Sequence, residues 1–160
     1  MGTTAQIAKH LRDVHFGGNW TSVNLRESLE GVSWQQATKQ LYGFNSIARL
    51  VFHMNYYVSA VLKVLRGEPL DAKDSSSFNL SAIQSKDNWE NLLNKTWADA
   101  ENFACLIEKL PDSRLDEIFA EEKYGTYYRN LQGITEHCHY HLGQIVLIKK
   151  MLLQAETAGN

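Results

Sequence analysis

Gly133-Ile134-Thr135-Glu136-His137-Cys138-His139-Tyr140-His141-Leu142-Gly143-Gln144 holds three of the chain's six histidines within five residues. Whether this stretch is helix or strand decides which histidines act together. On a helix, His137 and His141 differ by about 6 Å of rise and roughly 40° of rotation, so both imidazoles leave one face. His139 then lies about 200° around the axis from either. On a strand, His139 and His141 would share a face instead. The flanking sequence favours the helix, which begins near Tyr128 and continues past Met151.

Outward from this stretch the same period recurs. Ile7, Leu11 and Val14 carry it through a first helix, Thr4 to Phe16, which Gly17-Gly18-Asn19 breaks. Short helical pieces are expected over Asn24–Leu29 and Ser33–Gln40, where Ser33 and Gln36 have capping-box spacing. A second long helix, Leu41 to Arg66, is apolar almost all round, which calls for a core on one side and a dry neighbour, such as a second subunit, on the other. A third opens at Asp87, whose spacing to Glu90 is that of a reciprocal cap, and runs to Leu110 through Trp89, Leu92, Leu93, Trp97, Ala100, Ala104 and Ile107. The chain's two prolines, Pro69 and Pro111, both follow helical runs. No segment alternates with period two. The expectation is all-α, a four-helix bundle in one domain over residues 1–160. The polar connector of residues 67–86 is long enough to run the length of such a bundle, as a crossover between parallel second and third helices requires.

Composition narrows the function classes. At 160 residues the chain buries a sizeable core, and 44% hydrophobic with 21% charged residues is ordinary for a soluble domain. A formal net charge of -2 supplies no general attraction to nucleic acid or anionic lipid. The Tyr124, Tyr127, Tyr128 and Arg129 cluster, with no basic stripe around it, does not change that. Arg49, His53, Asn55, Ser59 and Lys63 interrupt the most apolar stretch, Ile47 to Leu65, too often for a membrane span. Cys105 and Cys138 form no C-x-x-C pair, and the first ten residues contain no signal-like apolar run; a reducing cytoplasm is the expected compartment.

Two histidines on one helix grip an ion weakly without a third ligand. His53, near the middle of the second long helix in apolar surroundings, is the best candidate to join His137 and His141. Three neutral imidazoles suit zinc, nickel, copper or iron and leave coordination positions open. Glu136 and His139 have the Glu-x-x-His spacing of di-iron bundles, but no second copy exists. Cys138, about 100° from His137, reads as a buried inert thiol. His139 is expected at the surface or at a dimer interface. Gly143 implies close approach of a neighbouring helix, while Gln144 is either an orienting partner for a ligand or an exposed side chain. Trp20, Trp34, Trp89 and Trp97 are expected as core or interface anchors. No aspartate or glutamate shares the ligand face, so no general base is named.

A histidine in the second long helix followed by His137-x-x-x-His141-x-Gly143-Gln144 in the last resembles the DinB family, which includes the bacillithiol-S-transferase-like proteins. The resemblance spans nearly the whole chain. It implies an up-down-down-up bundle, commonly a homodimer, with a divalent nickel or zinc ion on His53, His137 and His141. It further implies transfer of a small-molecule thiol to an electrophile. A metal-dependent hydrolase, or a non-catalytic dimeric bundle with a structural or vestigial ion, are the alternatives. Gly17-Gly18-Asn19-Trp20 and Lys123–Arg129 lie outside the family pattern and leave the substrate open.

Overall fold

The structure, a computed structural model, describes residues 1–158, so the last two residues of the expected domain lie outside it. Six α-helices and no strand occur among the described residues: α1 (Thr3–Phe16), α2 (Leu25–Leu29), α3 (Trp34–Thr38), α4 (Ile47–Leu65), α5 (Lys86–Lys109) and α6 (Tyr127–Ala158). Short 3-10 turns at Asp74–Ser76, Asp112–Asp116 and Glu122–Tyr124 punctuate the connections. None of the described helices is long and apolar enough to cross a membrane.

Side-chain caps set the helix starts, and they correct two expectations. The long second helix begins at Ile47 rather than Leu41, because Tyr42 and Gly43 both adopt positive φ, at 49° and 78°, and Ser46 then accepts from the Arg49 amide. α5 begins at Lys86 because the Ser85 hydroxyl accepts from the Asn88 amide at 3.1 Å; no Asp87–Glu90 cap is needed. The Ser33–Gln36 box is present in both directions, at 3.2 and 3.0 Å.

The four long helices pack in a closed circuit, α1 on α5, α5 on α4, α4 on α6 and α6 on α1. Ile7, Leu11 and Val14 of α1 meet Phe103 and Ile107 of α5 and Leu131, Ile145 and Leu152 of α6 in one buried core. Polar contacts pin the edges. Arg12 grips Glu101 and Glu108, and Asp112 accepts from the Thr3 and Thr4 amides at the start of α1. Asp99 of α5 accepts from Asn55 and Ser59 of α4.

The dry neighbour of α4 is the chain's own connector. Leu70, Phe78, Leu80 and Ile83 pack against the core, and the Tyr56 hydroxyl accepts from the Lys73 amide at 2.7 Å. The apolar outer face of α4 is therefore covered within one chain, and its composition alone does not call for a second subunit. The tryptophans divide: Trp89 is buried and donates to the Val32 carbonyl at 3.0 Å, while Trp34 and Trp97 are partly buried. Trp20 is corrected from anchor to surface residue; it is 99% exposed on the turn that follows α1.

Candidate metal centre

α4 and α6 bring His53, His137 and His141 together. The Nε2 atoms of His53 and His137 are 3.1 Å apart, and one ring nitrogen from each of the three lies within 4.8 Å of the other two. Ring centroids stand 4.9 Å (His53–His137), 4.8 Å (His53–His141) and 4.5 Å (His137–His141) apart, with the rings steeply inclined to one another. Edges rather than faces therefore converge on one point.

Partners behind the rings decide which edge faces inward. His53 Nδ1 is 3.3 Å from the Ser77 carbonyl, and His141 Nδ1 is 2.7 Å from Gln144 Oε1. Both partners only accept, so each Nδ1 carries the proton and each Nε2 keeps its lone pair. The bare His53 Nε2 faces His137 Nε2 at 3.1 Å, where it accepts a proton held by His137 or turns with it toward one cation. His137 Nδ1 is buried with no hydrogen-bond partner among the described residues. Burial, then the neighbouring His141 and His53 rings, push the His137 pKa down to about 4. Burial likewise lowers His53 and His141, in the latter partly offset by Gln144. All three are neutral at pH 7, the form that ligates. The donor set fits a borderline divalent ion, with no carboxylate among the three.

Residues of the connector and of α4 complete the surroundings. Phe78 stacks on His53 at 3.9 Å and 6°, and Tyr57 sets its ring edge-on to both His53 and His137 at 5.2 Å. The Tyr57 hydroxyl donates to Asp74 at 2.6 Å. Tyr57 lies four residues after His53, a spacing visible in the sequence; Asp74, Ser77 and Phe78 belong to a connector with no periodic signal. A cavity of about 560 Å³ opens beside His53 and His137. A larger groove, about 710 Å³, lies between the α2–α3 segment and α5, remote from the histidines.

Other sequence expectations sort themselves around this centre. His139 points away and approaches His10, ring centroids 5.6 Å apart. Cys138 is fully buried, and burial pushes its thiol up to about 12, so it holds no thiolate at neutral pH. Gln144 is the orienting partner of His141. Gly143 corrects its expectation: a β-carbon added there meets nothing within 4 Å, so no neighbouring helix of this chain demands a glycine.

Comparison of the chain with protein-family models, with curated proteins and with solved structures finds no match in any of the three.

Proposed function

We propose that this chain is a DinB-like divalent-metal protein that transfers a small-molecule thiol to a small electrophile, with nickel or zinc on His53, His137 and His141. The convergence of three neutral imidazole edges from two helices carries the reading. When bound, such an ion retains its full charge on neutral ligands and so lowers the pKa of a thiol or water beside it. The chain's own residues do the rest. The Ser77 carbonyl and Gln144 hold two of the rings in the ligating tautomer. Phe78 packs on His53, and Tyr57 packs on both His53 and His137. The adjoining cavity gives the electrophile a place to lie.

An up-down-down-up bundle belongs to the same proposal. Thr4 bonds to Asp112 and Phe16 packs on Trp97, which supports opposite directions for α1 and α5. His10 beside His139, with Ile7 and Gln132 lining one cleft, supports parallel α1 and α6. His53 against His141 and Tyr57 against His137 support opposite α4 and α6. Those directions require a crossover over residues 66–85. A homodimer is also part of the reading; its support is an uncovered apolar face on α6, with Tyr140 65% and Leu147 60% exposed beside Phe44 at 55%. The cytoplasm is the proposed compartment, in keeping with two free cysteines.

The test is metal analysis of the purified protein, nickel and zinc titration, and conjugation of glutathione, cysteine or bacillithiol to a chromogenic electrophile. The expected result is one ion per chain, with metal and turnover both lost in His141→Ala while the helical circular dichroism persists. Turnover that survives chelation, or a chain that takes up neither ion, overturns the proposal.

A further inference from the structure

Arg129, Gly133, His137 and His141 follow one another at four-residue intervals along α6. Each step rises about 6 Å and turns about 40°, so the four form one slowly winding ladder. Two rungs belong to the histidine triad; Arg129, Gly133 and His137 line the 560 Å³ cavity beside it.

Gly133 is out of place on local grounds. A glycine in a helix interior is less stable than alanine, so its presence calls for a reason. Packing does not supply one, because a β-carbon at this position meets no atom within 4 Å. Backbone geometry does not either, since Gly133 is not among the glycines with positive φ. What the absent side chain does supply is open volume in the cavity wall, one turn before His137.

Arg129 is the one cation on that wall, at its solvent end. Its guanidinium has no ion pair or hydrogen bond among the described residues. Of the cavity's other polar groups, His137 Nδ1 has no partner among the described residues, and two more are engaged within the protein. Asp74 accepts the Tyr57 hydroxyl, and Asn130 donates to the Tyr124 and Thr126 carbonyls. Val61 and Ile134 provide apolar surface between the two ends.

We propose that this ladder is the binding track for an elongated small molecule with a carboxylate at one end and an apolar body. The carboxylate pairs with Arg129, the body lies over Gly133, and the far end reaches the triad, about 12 Å along the helix from Arg129. What happens at the far end rests on the metal-dependent transfer reading; recognition by Arg129 and Gly133 does not.

The experiment measures calorimetric binding of 4-phenylbutyrate and its neutral counterpart 4-phenyl-1-butanol to the chelator-treated protein, where a carboxylate cannot gain by coordinating an ion. The acid is expected to bind about 10-fold tighter than the alcohol, the worth of one charge-assisted pair. Arg129→Met removes that preference and leaves the alcohol unaffected. Gly133→Leu weakens both ligands about 10-fold or more, with the melting temperature unchanged or raised, because the added side chain fills the cavity rather than a packed interface. Equal binding of acid and alcohol to the unaltered protein, a preference that survives Arg129→Met, or undiminished binding to Gly133→Leu each overturn the proposal. Zinc titration of the same proteins is read separately: a chain that takes up no zinc defeats the metal reading, whereas the acid preference and its loss in Arg129→Met stand or fall on their own.

Discussion

Replacing Gln144 with leucine removes the acceptor that holds the His141 ring. In the structure Gln144 Oε1 is 2.7 Å from His141 Nδ1, and the His141 side chain is buried, so water does not readily replace the lost partner. Two routes give the size of the effect. A buried donor left without an acceptor costs about 1–3 kcal/mol. Loss of an outer partner of a ligating histidine lowers metal affinity about 10–100-fold, which is roughly 1.4–2.7 kcal/mol. The two agree, and Gln144→Leu is expected to weaken zinc binding within that range. Gln144→Glu keeps an acceptor and adds charge to it, so affinity is retained or increased. Competition against a chromophoric zinc chelator at fixed pH measures both variants. Equal affinity of Gln144→Leu and the unaltered protein refutes the claim that this bond orients a ligand, and so does a Gln144→Glu variant as weak as the leucine.

Three further outcomes follow from the same structure. Zinc at about 100 times its Kd is expected to stabilise the chain by about 2.7 kcal/mol, roughly 5–10 °C in Tm by calorimetry, and His141→Ala to abolish most of that shift. His15 is fully buried in α1, its Nδ1 donating to the Leu11 carbonyl at 2.9 Å, and burial lowers its pKa to about 4. The unfolded chain therefore takes up this proton near pH 6.5 while the folded chain resists it. Stability is full above that pH and falls as the pH drops toward 4, by at most about 3 kcal/mol from this group. Urea midpoints at pH 7 and pH 5 should differ less in His15→Leu than in the unaltered chain, and identical differences contradict the assignment. Phe103 is 0% exposed in the central cluster, and Phe103→Ala is expected to cost about 3–5 kcal/mol in urea unfolding; a loss under about 1 kcal/mol contradicts its place in the core.

The i,i+4 pair of His137 and His141 was legible because helix geometry alone sets the relation between residues one turn apart. The same locality made the ends legible where a capping residue stood at the boundary, as at Ser33. It misled where the deciding event was a backbone conformation or a competing cap. Tyr42 and Gly43 at positive φ postpone α4 to Ile47, and Ser85 rather than Asp87 starts α5. The apolar setting and central position of His53 mark it as a ligand candidate, but nothing local measures how near it comes to His137, 84 positions away.

Local sequence sets the helical period, the lack of strand-like alternation, and which imidazoles leave a common face of α6, because each depends on interactions within a few residues. Tertiary structure decided the rest. It placed His53 Nε2 3.1 Å from His137 Nε2, folded Phe78 and Ser77 of an aperiodic connector onto the triad, and left Gly133 facing open space while Trp20 faced solvent. Those outcomes depend on how whole helices pack and on where a long connector lies, and the free energy of such packing is summed over many distant contacts that no short window of sequence contains.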